Sequence, residues 1–134
     1  MRLLIDTHCW LWYLLEPEKL NPDAQNAMRE PENEIFFSAA SAWEIVVKFA
    51  LGKLDVPLPP SEYIPDRLRA LGHRELPIRQ DHVLRIEALP HHHRDPFDRL
   101  LVAQAQEEAL TLVTADKILK SYDVPVFWAG FGKS

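Results

Sequence analysis

The chain of 134 residues is 47% apolar and 26% charged, with a net charge of −5, which is the composition of an ordinary soluble globular protein. It contains no apolar run near the ~20 residues that span a bilayer, and Asp6 argues against a signal peptide, so neither a membrane protein nor a secreted one is expected. The single cysteine, Cys9, excludes an internal disulfide and fits a cytoplasmic location. The length predicts one domain over residues 1–134.

Strand-like and helix-like segments alternate along the chain. In chain order, the pattern predicts strand 3–5, helices 8–15 and 23–30, strand 34–38, helices 39–51 and 61–71, strand 75–78, helices 79–89 and 96–109, strand 110–114, short helix 116–121 and strand 125–128. Gly52 and Gly72 stop two of the helices, and Pro77 places its strand at a sheet edge. The alternation predicts an α/β fold with a mainly parallel sheet covered by helices on both faces.

Four acidic residues lie at the ends of these elements: Asp6, Glu44, Asp98 and Asp116. In open parallel sheets, ligands bind outside the carboxyl ends of the strands. Three predicted strands are followed by, or end on, side chains that carry oxygen. Asp6 follows the first strand, Ser38 ends the second and Asp116 follows the fourth. A cluster of carboxylates is costly unless a divalent cation neutralises it. The spacing therefore favours a site for metal-assisted phosphoryl chemistry.

Local helix capping is the alternative explanation for each acid. Asp6 can cap the first helix, and Ser41-x-x-Glu44 fits a capping box. Asp95 fits the N-cap of the helix that carries Asp98 in its first turn. Because Asp95 already supplies that cap, Asp98 is free for another role, and a helix N-terminus keeps a carboxylate ionised, as a hard cation requires.

The histidine run His91-His92-His93 suggests a zinc site, but three adjacent side chains in a loop cannot easily converge on one ion. A solvent-exposed loop is therefore the expectation for residues 90–94. No phosphate-binding glycine loop is present.

Four segments together resemble the PIN domain family, and within it VapC-type toxins of toxin–antitoxin pairs. They are Leu3-Leu4-Ile5-Asp6-Thr7-His8, Ser38-x-x-Ser41-x-Trp43-Glu44-Ile45-x-x-Lys48, His93-x-Asp95-Pro96-Phe97-Asp98-Arg99-Leu100-Leu101-Val102-Ala103-Gln104-Ala105 and Leu112-Val113-Thr114-x-Asp116. The similarity covers nearly the whole chain and implies a PIN-like three-layer fold, with a five-stranded, mainly parallel sheet between helices. It also implies an endoribonuclease that depends on Mg²⁺ or Mn²⁺.

The resemblance assigns roles to particular side chains. The acidic quartet that binds metal and catalyses would be Asp6, Glu44, Asp98 and Asp116. Supporting roles around the quartet fall to Thr7, Ser38, Thr114 and Asp95, and phosphate contacts to Lys48 and Arg99. Water activated by the metal would hydrolyse the RNA phosphodiester bond and leave a 5′-phosphate.

The expected partners are an RNA substrate, a small cognate antitoxin and a second copy of the chain in a homodimer. Residues 67–99 contain seven arginines, which would help an acidic protein to bind RNA. Several other functions stay open: a solitary RNA-processing nuclease, a DNA nuclease, a phosphatase and a non-catalytic RNA- or protein-binding scaffold. An aspartyl-phosphatase is disfavoured because His8 stands where its second aspartate is needed.

Overall fold

Eleven regular elements make up the computed structural model, which describes residues 1–132. In chain order they are β1 (Arg2–Ile5), α1 (Thr7–Leu15), α2 (Pro22–Arg29), β2 (Glu34–Ser38), α3 (Ala39–Ala50), α4 (Pro60–Leu71), β3 (Arg74–Leu76), α5 (Gln80–Arg85), α6 (Pro96–Glu108), β4 (Thr111–Thr114) and β5 (Val126–Trp128). Short 3₁₀ turns occupy Pro17–Lys19, Ile86–Ala88 and Lys117–Ser121.

The five strands form one sheet in the order β3-β2-β1-β4-β5, and every neighbouring pair is parallel. The chain builds the sheet outward from β1 to β3 and then crosses back to place β4 on the other side of β1. The strand order therefore reverses between β1 and β4, the position where open α/β sheets bind ligands. The predicted α/β fold with a parallel five-stranded sheet is confirmed.

The sheet separates two apolar layers, because successive side chains of a strand point to opposite faces. Leu3 and Ile5 of β1 pack into the cluster that contains Trp10 of α1, whereas Leu4 packs into the cluster that contains Leu101 of α6. All five side chains are fully buried. A central strand with apolar residues on both faces explains why residues 3–5 are continuously apolar.

The predicted elements are all present, most with boundaries within one residue of the prediction, and three differ by more than that or in type. The strand expected at 75–78 is Arg74–Leu76 and ends before Pro77, which lacks the N–H that a ladder needs. The helix expected at 79–89 splits into α5 and a 3₁₀ turn, and the one expected at 116–121 is entirely 3₁₀. Strand β3 does lie at a sheet edge, as Pro77 predicted.

Among the described residues 1–132, no helix is both long enough and apolar enough to cross a membrane.

Candidate metal and active site

A single hydroxyl connects the acidic side chains that follow β1 and β4. Asp6 caps α1 by accepting a hydrogen bond from the His8 amide (3.3 Å), and its second oxygen accepts one from Thr114 Oγ1 (2.7 Å). Thr114 Oγ1 in turn accepts from the amide of Asp116 (3.0 Å). Two parallel neighbouring strands thus deliver two carboxylates to one sheet edge, and Thr114 fixes both.

The start of α6 brings a third carboxylate to the same edge. Asp95 is the N-cap and accepts from the amides of Phe97 (2.8 Å) and Asp98 (3.4 Å), with Pro96 in the first turn. The cap assigned to Asp95 from the sequence is confirmed. It leaves the Asp98 carboxylate free of capping and nearly buried, at 6% exposed.

These three carboxylates share one open cleft of about 470 Å³. Its wall consists of acidic, aromatic and small side chains with one lysine at the rim: Asp6, His8, Cys9, Trp12, His93, Asp95, Asp98, Ala115, Asp116 and Lys117. The structure therefore brings Asp6 and Asp116 together, as the pattern of strand ends predicted, and adds Asp98 from the start of α6, as the resemblance implied; Ser38, the third predicted strand end, does not line this cleft.

Burial, and after it the neighbouring negative charges, raises the pKa of two carboxyls in the cleft. Burial, followed by the charges of Asp6, Asp95, Glu44 and Asp116, raises the pKa of Asp98 to about 8. Burial also raises the pKa of Asp6, although the hydrogen bond from Thr114 acts in the opposite direction. A carboxyl with such a pKa signals a site in which a further positive charge would be stabilising.

Glu44 is not part of the wall of this cleft. Its side chain is fully buried in α3, and its Oε2 lies 2.5 Å from Lys48 Nζ. Its other oxygen, Oε1, has no hydrogen-bond partner within residues 1–132. Glu44 and Lys48 line a second, adjacent cleft of about 290 Å³. The fourth acid of the predicted quartet is thus close enough to raise the pKa of Asp98 but lines the neighbouring cleft.

The capping box proposed for Glu44 is wrong. Helix α3 begins at Ala39 with Ser38 as its N-cap, so Glu44 lies in the helix interior. The hydroxyl of Ser41 instead accepts a hydrogen bond from Thr7 Oγ1 (2.7 Å). A buried glutamate inside a helix, with one oxygen unpaired, has no capping explanation.

The donor set fits a divalent cation. The cleft offers carboxylate oxygens from three elements, the ligands that Mg²⁺ and Mn²⁺ accept, and the orphaned Glu44 Oε1 lies beside it. A buried polar atom without a partner costs about 1–3 kcal/mol, so its persistence points to a group that it serves.

His93 is the residue of the site that sequence reasoning missed. Its Nε2 lies 2.9 Å from Asp116 Oδ2 and 3.2 Å from Asp98 Oδ2. His91 and His92 are exposed, as the loop prediction required, and only the third histidine of the run turns into the cleft. The signal available in the sequence was the position of His93 two residues before the Asp95 cap.

Two residues that the resemblance assigns to supporting roles form their hydrogen bonds outside the acidic cleft. Ser38 is fully buried, caps α3 through the amide of Ala40 and donates to Gln104 Oε1 (2.5 Å). Thr7 donates to Ser41 and lines the second cleft. Both hydroxyls fix α3 against its neighbours, whereas Thr114 is the one that contacts the acids.

Arg99 is placed where a phosphate contact is not favoured. The residue is 9% exposed, and its guanidinium donates to the carbonyls of Pro90 (2.8 Å) and Ile86 (3.3 Å) and to Tyr122 Oη (3.3 Å). These bonds tie the loop before α6 to the body of the protein. Lys48, by contrast, keeps a side chain that is 35% exposed beside Glu44.

Comparison with known proteins agrees with this geometry. Residues 3–125 match the PIN domain family. Two relatives come from Mycobacterium tuberculosis: ribonuclease VapC22 is 28% identical over 127 residues, covering 92% of this chain and 93% of that one. Ribonuclease VapC16 is 43% identical over 68 residues, a stretch that spans only 48% of each chain.

Solved structures share the fold at low sequence identity. VapBC2 of Rickettsia felis, bound to a DNA fragment from its promoter, superposes with a TM-score of 0.72 at 14% identity, covering 95% of this chain and 98% of that one. FitAcB of Neisseria gonorrhoeae gives 0.60 at 22% identity, with 93% and 96% covered. With the family match spanning most of its length, the chain belongs to the PIN domain family, and the relatives that it resembles are VapC ribonucleases.

Proposed function

We propose that the protein is an endoribonuclease dependent on Mg²⁺ or Mn²⁺ and the toxin of a VapBC-type toxin–antitoxin pair. The observation that carries the proposal is the cleft in which Asp6, Asp98 and Asp116 converge from three separate elements. The ribonuclease names of VapC16 and VapC22 support the choice of substrate.

In this proposal Asp6, Asp98 and Asp116 hold the cation, and Glu44 adds negative charge from the neighbouring cleft. A bound divalent cation would supply charge neutralisation at the phosphoryl oxygens and a lowered pKa for a water molecule. The protein's own role is to hold the carboxylates in place before substrate arrives. Thr114 does so by bonding to Asp6 and to the backbone of Asp116.

Lys48 is the candidate for a phosphate contact. Partial burial lowers its pKa, but the hydrogen bond and charge of Glu44 outweigh that effect, so the pKa is raised overall and the ammonium stays charged. Lys53 lines the same cleft, and Lys117 stands at the rim of the larger one. Three lysines thus surround the acidic centre, where a phosphodiester backbone would need cations.

The arginine-rich segment contributes less free charge than its composition predicts. Arg79 pairs with Asp81 (2.8 Å) and with Glu108 (2.8 Å). Arg85 pairs with Glu107 (3.1 Å). With Arg99 buried as well, we assign RNA attraction to the lysines at the cleft rims rather than to this segment.

A similar solved structure and the surface of α3 both support protein partners for this chain. The R. felis neighbour is a VapBC protein pair, and we extend an antitoxin partner to this chain. We propose a homodimer as well, as the family resemblance implies. Exposed apolar side chains on and just after α3, among them Trp43 and Leu51, would suit such contacts. Trp10 of α1 is fully buried in the core and is not part of this surface.

Cleavage of total RNA tests the proposal. The purified protein should cut RNA in Mg²⁺ or Mn²⁺, stop in EDTA and leave 5′-phosphate ends, because water is the nucleophile. Asp98→Asn should abolish cleavage by removing a ligand, whereas Asp123→Asn, which changes an exposed acid after β4, should cut normally. Cleavage unaffected by EDTA, or retained by Asp98→Asn, would contradict the proposal. Single-stranded DNA in a parallel reaction decides between RNA and DNA as substrate.

A further inference from the structure

His93 bridges two carboxylates that come from different elements. Its Nε2 is within hydrogen-bond distance of Asp116, just after β4, and of Asp98, in the first turn of α6. The imidazole is 16% exposed, so water competes little for these contacts. On distance alone, His93 would be a third metal ligand beside the two acids.

The other ring nitrogen argues against that role. Nδ1 of His93 accepts a hydrogen bond from the backbone amide of Asp95 (3.0 Å), so Nδ1 carries no proton and the ring proton must be on Nε2. A histidine that binds a metal has the opposite arrangement: the bare nitrogen faces the ion and the other nitrogen donates its proton. Here the nitrogen that faces the cleft is the donor.

Backbone contacts of the loop that carries His93 also hold its ring in this orientation. The backbone amide of His93 donates to Tyr122 Oη (2.8 Å), and Tyr122 is buried at 4% exposure. Arg99 donates to the same hydroxyl and to the carbonyl of Pro90. Arg99, Tyr122 and the Asp95 amide therefore fix both the position of the loop and the tautomer of the ring.

We propose that His93 is a positioning residue that acts through Asp98 and Asp116. A neutral imidazole donates its Nε2–H to Asp116 and lies 3.2 Å from Asp98, so it offsets the repulsion of the two carboxylates and holds them at the spacing from which they bind a cation. It does not itself ligate the ion. The proposal rests on the proposed function in taking these carboxylates as the metal ligands.

Metal affinity of His93 variants tests this role. Titration calorimetry with Mg²⁺ and with Mn²⁺ should show His93→Ala binding both ions about 10- to 100-fold more weakly, the usual effect of losing a group that orients ligands. His93→Gln should recover most of the affinity, because a glutamine amide N–H can occupy the place of Nε2–H. His91→Ala, which removes an exposed imidazole from the same loop, should bind both ions like the wild type.

Other results would overturn the proposal. Loss of Mn²⁺ affinity much larger than loss of Mg²⁺ affinity, without rescue by glutamine, would make His93 a ligand, because Mn²⁺ accepts imidazole more readily than Mg²⁺ does. A lower melting temperature with unchanged affinities would make its role merely structural. In the metal-free protein, ¹⁵N NMR should show the proton of His93 on Nε2, and a proton on Nδ1 would contradict the geometry.

Failure of the proposed function has a different signature. A wild-type protein that binds Mg²⁺ and Mn²⁺ but cuts no RNA would refute the nuclease assignment, and the affinity ratios among the His93 variants would still decide the positioning role.

Discussion

At the scale of single residues, two acids of the cleft both cap a turn and line the cleft wall. Asp6 and Asp116 each accept a backbone amide at the start of the following turn and also line the cleft. One carboxylate oxygen of Asp95 accepts hydrogen bonds from two amides of α6. Capping and the proposed metal binding are compatible, because amide donors fix the direction of a carboxylate and favour its charged form, although burial raises the pKa of Asp6 overall.

The pair of Glu44 and Lys48 should contribute measurably to stability. Lys48→Met would leave Glu44 fully buried with no cationic partner, and we expect a loss of about 2 kcal/mol in the free energy of unfolding. Urea denaturation in EDTA measures it. The double variant Glu44→Gln/Lys48→Met should regain most of the loss, because the buried charge is gone. A Lys48→Met single variant as stable as the wild type would show that the pair contributes nothing.

At the scale of elements, α6 is the one that its sequence specifies most completely. Asp95 caps it, Pro96 occupies its first turn, and the consecutive buried residues from Asp98 to Ala105 pack it between the sheet and α5. At its far end, Glu108 accepts a hydrogen bond from Nε2 of the buried His82 in α5 (2.8 Å). A helix fixed at both ends gives Asp98 a defined direction into the cleft.

The cap of α6 should be worth about 1 kcal/mol. Asp95→Ala removes the oxygen that accepts the Phe97 and Asp98 amides, and we expect that decrease in the free energy of unfolding. Asp95→Asn should be close to the wild type, because asparagine is an equally good N-cap. Chemical denaturation of both variants checks this. Equal losses in the two variants would mean that the charge of Asp95, and not its cap, is what stabilises α6.

At the scale of the whole molecule, buried polar groups join layers that are distant in sequence. Trp10 of α1 donates its indole N–H to His73 Nδ1 (3.1 Å), in the connection between α4 and β3. His73 is 8% exposed, and burial lowers its pKa to about 4. The neutral ring is therefore part of the folded state, and protonating it opposes folding.

This pair gives folding stability a pH dependence of known sign. Below about pH 6.5 the unfolded chain protonates His73, whereas the folded chain resists protonation down to about pH 4. The stabilisation is complete above pH 6.5 and is lost as the pH falls through this window, by about 2 kcal/mol after allowance for solvent screening. His73→Gln keeps an acceptor for Trp10 without titrating. Its stability, measured by urea denaturation from pH 7 to pH 4.5, should fall less than that of the wild type, and parallel curves would contradict the assignment.

The sequence by itself determined the local features. Apolar periodicity located every strand and α-helix, Pro77 identified the edge strand, and Asp95-Pro96 located the start of α6, because each depends on neighbours within a few residues. The positions of Asp6 and Asp116 after two strands likewise predicted their convergence, since parallel strands share one carboxyl edge, and the family resemblance added Asp98.

Only the tertiary structure decided which side chains beyond these acids belong to the site. His93, from a run that resembled a solvated loop, turns between Asp98 and Asp116, while Ser38 and Arg99 turn to internal partners. Glu44 lines the neighbouring cleft and not the acidic one. Side-chain direction in loops and across layers depends on contacts between residues far apart in the chain, and no local pattern in the sequence records those contacts.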